Sequence, residues 1–213
     1  PGLASSSYSQ QYRIGQPLNI KLLYAYKGIN PQTGVYTFED LNNDGRISFP
    51  EDRQIIADLN PKYFGGIQNQ LSFKNWKLDF LLQFVNQKNS SYLPRTPGLL
   101  SNQPSKIINS WQQQGDNATY QLYTTGTNSL ASTANGLYAN SSAYFEDASY
   151  IRLKNVAISY VLPIKLEKTQ LRINLQGQNL FTLTNYKDGG PEFITSGYLS
   201  PLKVFTAGIQ ASF

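Results

Sequence analysis

Alternation between apolar and polar residues, repeated in six segments, is the feature of this sequence that most constrains its fold. Successive side chains of a strand point to opposite faces of a sheet, so alternation predicts strands with one apolar and one polar face. The last segment carries Phe, Ala, Ile, Ala and Phe at its odd positions and Thr, Gly, Gln and Ser at its even ones. We therefore predict an all-β chain with strands at about 18–27, 63–74, 76–85, 150–162, 171–178 and 205–213.

Two of the segments depart from the pattern. In the fourth, the apolar residues move from the odd positions of Ile151 and Leu153 to even positions that begin at Val156, which predicts a β-bulge near Asn155. In the second, two glycines and an asparagine interrupt the apolar set. That segment is predicted to be a strand that is bent or closely packed.

The connections between the segments differ greatly in length. Lys74 and Asn75 form a tight hairpin and 163–168 a short link, whereas the other connections are long and polar. Outer-membrane barrels have short periplasmic turns, long extracellular loops and aromatic residues at the membrane interfaces. We therefore predict an antiparallel transmembrane β-barrel, with about six strands in this chain and with residues 29–60 and 89–144 as extracellular loops.

A second architecture also fits the alternation. A secreted β-sandwich has two-faced strands and an aromatic core, and it would be stabilised by calcium and bind glycans. The unequal loop lengths and the polar residues that run along whole strands favour the barrel. Within the longest connection, we expect one or two helical turns around residues 104–114.

Composition excludes several functions. The chain has no Cys and no His, which excludes disulfides, thiolate metal sites and a Ser-His-Asp triad built from these residues, so we expect no enzyme. The net charge is +5, but the 18 Lys and Arg residues are scattered, and no nucleic-acid partner is expected. No leader or long apolar run is present, as in an exported or excised C-terminal piece. Phe213 continues the apolar set, and we expect the C-terminus in the periplasm.

One motif carries explicit chemistry. The stretch DLNNDGRISFPE, at 40–51, matches the twelve-residue calcium loop, in which hard oxygen ligands surround the ion and glycine permits the sharp turn. The alternative is a turn that holds itself together by side-chain hydrogen bonds. If calcium binds, we expect it to clamp an extracellular loop, a structural role. The predicted ligands are Asp40, Asn42, Asp44, the Arg46 carbonyl, Ser48 and Glu51.

Other polar and aromatic groups have two interpretations each. A basic patch of Arg152, Lys154 and Arg172 would line the lumen, with simple charge balance as the favoured explanation. The acidic residues Glu146, Asp147 and Glu192 are assigned to a solvated loop rim. Six aromatic residues are predicted to be exposed, where they would stack on sugars or pack against a partner protein: Tyr92, Trp111, Tyr120, Tyr123, Tyr138 and Tyr144.

Several motifs occur together in a fixed order. They are YAYKGI at 24–29, the acidic loop at 40–52, PKYFGG at 61–66, YIRLKNVAISYVLP at 150–163, LRINLQGQNLFT at 171–182 and the terminal strand. In combination they resemble the C-terminus of SusC/RagA-type TonB-dependent transporters of Bacteroidetes.

The resemblance implies that this chain is the C-terminal portion, about six strands, of a large barrel. That barrel would have about 22 strands and a plugged lumen and lie in the bacterial outer membrane. It also implies import of glycans or oligopeptides, energy from TonB-ExbB-ExbD, and a SusD-like surface lipoprotein as partner. The plug and the TonB box of such a transporter lie N-terminal to this stretch. Since six strands cannot close that barrel, we expect the remainder of the same barrel to complete it in contact with lipid.

Overall fold

The computed structural model describes residues 2–91, 105–164, 169–187, 189–192 and 199–213. Two compact units form, a loop unit of Pro1–Asn60 and Ser90–Glu146 and a sheet unit of Pro61–Asn89 and Asp147–Phe213. Short 3-10 turns lie at Leu3–Ser5, Ser105–Asn109 and Ser142–Tyr144. The regular elements of the described ranges are β1 (Ile20–Leu23), β2 (Tyr26–Ile29), β3 (Tyr36–Phe38), β4 (Ile55–Asp58), β5 (Tyr63–Phe73), β6 (Trp76–Asn86), β7 (Lys88–Ser90), α1 (Ser129–Tyr138), β8 (Phe145–Asp147), β9 (Tyr150–Val161), β10 (Gln170–Thr184) and β11 (Val204–Ser212).

The sheet unit is built on five long antiparallel strands in the order β11-β10-β9-β6-β5. The strands have 9 to 15 residues, and about 9–11 residues suffice for a strand to cross a bilayer. Lys74 and Asn75 join β5 to β6 as the predicted tight hairpin, with Phe73 paired to Trp76. The all-β architecture of five predicted segments is confirmed, and the 163–168 link lies partly outside the described residues.

The two faces of this sheet differ in chemistry. Cross-strand partners share a face, and the register places the apolar residues of all five strands on one side. Many of these apolar side chains are exposed, unlike those of a β-sandwich, whose apolar faces are buried against each other. The sandwich interpretation is therefore wrong for the described sheet. The exposed apolar residues include Ile67, Leu71, Phe73, Trp76, Ile151, Ile158, Ile173, Leu175, Phe181, Leu183, Phe205 and Ile209.

A β-bulge occurs where the phase of the alternation changes. In the pairing of β6 with β9, Leu81 lies opposite Asn155 and Leu82 opposite Leu153, so Lys154 is left over. The extra residue keeps the apolar residues before and after it on the same face of the sheet. The bulge predicted near Asn155 is confirmed.

The neighbouring strand β10 is irregular at the same height. Its register shifts between Gln178 and Phe181, and Asn179 has a positive φ of 52°. Leu180 folds back over Gly177, where a Cβ atom would lie 2.8 Å from its Cδ atoms. This irregularity explains the glycine of the QGQNLF motif, because a larger residue would collide with Leu180.

The predicted close packing of the second segment is found at Gly65. Gly65 lies opposite Phe84 in the β5–β6 ladder, and a Cβ on this glycine would be 2.7 Å from the ring of Phe84. The ring thus lies across the backbone of β5, as a glycine inside a strand permits.

The first predicted segment, 18–27, does not join the long sheet. It forms β1 and β2 in the loop unit, where β1 pairs with β4 and β2 with β3. Leu22, Leu23 and Tyr24 are consecutive and all buried, so both faces of this stretch are covered by protein. The sheet contains five of the six predicted strands for this reason.

The loop unit has its own core. Val35 and Tyr36 pack against Ala131 and Ala134 of α1, and the Tyr138 ring stacks on Tyr36 at 4.3 Å between centroids. The 3-10 turn at Ser105–Asn109 agrees with the helical turn expected around 104–114, whereas α1 was not predicted.

Polar groups complete this core. The fully buried Gln121 accepts a hydrogen bond from Tyr36 N and donates one to Ala131 O. Asn128 caps α1 by accepting from Ala131 N at 3.0 Å.

The prediction that six aromatic residues are exposed is wrong for most of them. Trp111 is buried against Gly34, and its indole ring occupies the space that a Cβ atom on Gly34 would need. Gly34 also has a positive φ of 69°. Tyr138 packs in the core, and Tyr144 lies edge-on to it. Tyr120 and Tyr123 are half-buried, and Tyr92 lies outside the described residues.

Candidate functional site

The loop at 40–51 folds around the backbone amides of its own glycine turn. Asp40 accepts hydrogen bonds from Asp44 N at 3.3 Å and Gly45 N at 2.7 Å, and Asp44 accepts one from Arg46 N at 2.8 Å. Asn42 accepts from Asp44 N and donates to Asp44 Oδ2. Gly45 has a positive φ of 82°, which the sharp turn requires. The side chains at the first, third and fifth positions are therefore drawn toward the same turn.

Asp52, which the sequence analysis did not single out, closes this loop. Its carboxylate is fully buried and accepts hydrogen bonds from Leu41 N at 2.6 Å and Ser48 N at 2.8 Å. These backbone donors, with that of Ser48 foremost, hold the pKa of Asp52 below its ordinary value of 3.8 against the opposing effect of burial. Glu51, the predicted twelfth ligand, is exposed and accepts from Ser48 Oγ at 3.2 Å.

Arg53 attaches the end of the loop to the rest of the loop unit. Its Nε donates to Leu22 O at 2.6 Å and its Nη2 to Asn140 Oδ1 at 2.9 Å. The guanidinium also lies over the rings of Phe49 and Tyr24, at 5.1 and 5.9 Å from their centroids. The loop therefore has a rigid base beside an exposed, oxygen-rich turn.

The oxygen atoms of this turn suit a hard cation such as Ca²⁺. Two Asp carboxylates, an Asn carbonyl, a Ser hydroxyl and a Glu carboxylate lie within one short loop, beside the Arg46 carbonyl. In the described part of the chain, no group of three or more Asp, Glu, His or Cys residues is arranged to hold a metal ion. A calcium loop and a self-supporting turn share the same backbone hydrogen bonds, so calcium binding stays a prediction.

The predicted basic patch does not form on the polar face of the sheet. Arg152 pairs with Thr182 near one end of β10, and Arg172 pairs with Val161 near the other, about 30 Å away along the strand. Arg152 forms an ion pair with Glu192, whose assignment to a solvated rim is therefore wrong. Lys154 donates to Gln83 Oε1 at 3.3 Å. Charge balance, the favoured explanation, holds for Arg152.

No described helix is long and apolar enough to cross a bilayer. No protein-family model matches the sequence.

Curated relatives are similar in sequence to the chain over most of its length. TonB-dependent receptor P3 of Formosa agariphila is 29% identical over 213 residues, which cover 90% of this chain and 20% of the receptor. TonB-dependent receptor P39 of the same organism is 27% identical over 176 residues, which cover 77% of this chain and 16% of that receptor. The chain thus spans a fifth or less of the length of these relatives.

Structures of the RagAB transport system are among the solved structures with a similar fold. The RagAB peptide transporter matches 90% of this chain and 22% of its own chain, with a TM-score of 0.67 and 24% identity. The RagAB peptide importer in its closed-closed state gives a TM-score of 0.66 and 25% identity over the same shares of the two chains. The all-β fold of a barrel segment is confirmed by this likeness. The resemblance drawn from the sequence motifs is confirmed as well, since the chain is similar in sequence to TonB-dependent receptors and in fold to the RagAB transporters, and fits a segment of a SusC/RagA-type TonB-dependent transporter.

Proposed function

We propose that this chain forms part of the barrel wall and the extracellular loops of an outer-membrane importer of oligopeptides or glycans. The exposed apolar face of the five-stranded sheet carries the proposal, because a strand system with one apolar and one polar face suits lipid outside and water inside. Similarity to TonB-dependent receptors supports the transport class. The long loops would be extracellular and the Lys74-Asn75 turn and the C-terminus periplasmic.

The sheet needs partners in this role. Its edge strands, β5 and β11, have no neighbour on their outer sides among the described residues, and unpaired backbone groups are costly in lipid. The remainder of the same barrel would pair with both edges. TonB-ExbB-ExbD would act through the N-terminal part of the protein, and a SusD-like lipoprotein would cover the extracellular side.

Peptides are the first substrate class to test, since RagAB, whose structures are similar in fold to this chain, is a peptide importer. The gene for the full transporter is deleted and restored in its own host, and growth is compared on casein peptides and on polysaccharides as sole nutrients. We expect the protein in the outer-membrane fraction, and a growth defect on one class that the restored gene repairs. Normal growth on every nutrient, or a protein found outside that fraction, would contradict the proposal.

We also propose that the loop at 40–51 binds one Ca²⁺ that clamps the extracellular side. The ligands would be the oxygens of Asp40, Asn42, Asp44, Ser48 and Glu51 and the carbonyl of Arg46. The support for this proposal is the match of the oxygen-bearing side chains at 40–51 to the spacing of a twelve-residue calcium loop. The backbone hydrogen bonds of Asp40 and Asp44 hold these two carboxylates at the same turn.

Calorimetric titration of the intact transporter with Ca²⁺, after treatment with a chelator, tests the site. We expect Asp44→Ala to abolish the heat of the loop site. Glu146→Ala, which removes an exposed carboxylate outside the loop, leaves that heat unchanged. Equal heats for Asp44→Ala and the unaltered protein would rule the site out.

A further inference from the structure

Arg152 is a buried cation on the polar face of β9. Its side chain is 7% exposed, and its Nε donates to Thr182 Oγ1 of β10 at 2.8 Å. The guanidinium lies 5.3 Å from the centroid of the Tyr150 ring. These contacts fix the orientation of the guanidinium. Its Nη1 and Nη2 atoms both face a single partner.

That partner comes from the connection between β10 and β11. Glu192 accepts from Arg152 Nη1 at 2.6 Å through Oε1 and from Nη2 at 2.8 Å through Oε2. The carboxylate is 18% exposed. A bidentate guanidinium–carboxylate pair that is largely shielded from solvent fixes the relative orientation of the two side chains. Removal of one partner would leave the other charge largely buried and without a counter-charge.

Two further hydrogen bonds attach the same connection to the sheet. Gln87 Nε2, just after β6, donates to Pro191 O beside Glu192. Asn179 Nδ2, in the irregular part of β10, donates to Leu202 O at 3.2 Å. Tyr186 is buried as well. The described parts of the connection, 185–187, 189–192 and 199–203, are therefore held against the strands near both of their ends.

We propose that Arg152 is a positioning residue whose ion pair with Glu192 keeps residues 189–192 of the β10–β11 connection against the polar face of the sheet. In the transporter residues 189–192 then narrow the lumen at the height of Arg152. The narrowing rests on the proposed function, because the polar face lines a lumen only if the barrel closes, whereas the ion pair itself does not depend on it.

The role of the Arg152–Glu192 ion pair is tested by hydrogen exchange of the purified full-length transporter in detergent. Glu192→Gln is expected to speed exchange of the amides in 185–192 at least tenfold and to leave β9 and β10 unchanged. The charge reversal Arg152→Glu with Glu192→Arg is expected to restore slow exchange. As a matched control, Asp79→Asn removes the carboxylate of the exposed Lys77–Asp79 pair on the same sheet and should leave 185–192 unchanged. If Glu192→Gln left the exchange of 185–192 unchanged, or accelerated exchange equally throughout β9 and β10, the proposed role of the ion pair would be overturned.

The narrowing is tested separately in intact cells. Since this chain contains no Cys, a single cysteine can be placed at Gln178 on the polar face or at Leu183 on the apolar face, with any cysteine elsewhere in the transporter replaced. A membrane-impermeant maleimide should label Gln178→Cys at least threefold faster when Glu192→Gln is also present, and Leu183→Cys at the same rate in both backgrounds. If Gln178→Cys were labelled at the same rate with and without Glu192→Gln, while hydrogen exchange of 185–192 became faster, the narrowing of the lumen would be overturned. The role of the ion pair in holding 189–192 would still stand. A transporter that assembles outside the outer membrane would overturn the proposed function, while the exchange result would still stand.

Discussion

The two units of this chain use the same kinds of side chain in opposite ways. In the loop unit, Leu23 and Tyr36 are 2% and 4% exposed and lie in cores built from that unit itself. In the sheet unit, Leu175 and Phe205 are 54% and 76% exposed on a continuous apolar face. A water-soluble protein rarely exposes so broad an apolar surface. The loop unit therefore buries its apolar residues within itself, whereas the sheet exposes them on one face, which lipid would cover in the proposed barrel.

The difference arises from the spacing of the apolar residues along the chain. Alternation leaves one face of each strand polar, so burial on one side is enough. The consecutive residues Leu22, Leu23 and Tyr24 are instead all buried, so protein covers both sides of that stretch. We therefore expect the loop unit to depend on its own core, and the sheet to depend on an apolar environment at one face.

The largest effect is expected from a cavity in the loop unit. Leu23→Ala removes a side chain packed against Ala57, Leu59 and Phe145 and should lower the free energy of unfolding of this unit by about 2–5 kcal/mol. Leu18→Ala, at a residue that is 81% exposed, should change it by less than about 0.5 kcal/mol. Hydrogen exchange of the full transporter measures both. Equal losses in the two variants would show that the loop unit has no independent core.

The next effect distinguishes the two faces of the sheet. Leu175→Lys places a charge on the apolar face and should cost about 2–4 kcal/mol if that face contacts lipid. Gln176→Lys places the same charge on the polar face of the same strand and should cost much less. Urea unfolding of the transporter in lipid vesicles gives both values. A larger cost at Gln176 would reverse the assignment of the faces.

The parts of the fold that can be predicted from the sequence are those in which a pattern repeats along one strand. The strands of the sheet were predicted because alternation extends over most of each one, and the bulge because the phase of the apolar residues changes at Asn155. On both sides of the bulge, the alternating apolar residues of β9 pair with apolar residues or glycine of its neighbours, as the change of phase predicts: Ile151, Leu153, Val156 and Ile158.

Elements whose stabilising contacts come from elsewhere in the chain cannot be predicted in this way. Helix α1 has no strong apolar stripe and depends on its Asn128 cap and on the burial of the small residues Ala131 and Ala134. Asp52 was overlooked because the calcium pattern ends at Glu51, although the loop closes one residue later. Glu192 is 40 residues from Arg152, and only the pairing of β9 with β10 brings the two together.

A smaller effect tests the irregularity in β10. Gly177→Ala would force Leu180 away from the strand, at a cost of about 1 kcal/mol, because Leu180 already occupies the space of the new methyl group. Gly208→Ala in the neighbouring strand meets nothing within 4 Å and should be neutral or slightly stabilising. The same vesicle unfolding experiment compares them. A neutral Gly177→Ala would mean that this part of the sheet repacks easily.

The smallest effect concerns acid and the loop unit. Because the pKa of Asp52 is lowered by the Ser48 and Leu41 amides, its ionised form stabilises the folded loop above the ordinary carboxyl value of 3.8. That stability should be lost as the pH falls below 3.8 through the lowered pKa of the folded loop. Asp52→Asn, which keeps the shape but cannot ionise, should start from a weaker loop and remove this part of the pH dependence. Asp147→Asn is the matched control, since the pKa of Asp147 is also lowered, chiefly by Ser149 in the other unit. Hydrogen exchange of residues 40–52 between pH 6 and pH 3, with chelator present to exclude calcium, separates the two carboxylates. If Asp147→Asn removed the acid sensitivity of this loop and Asp52→Asn did not, the two units would not be as independent as their cores imply.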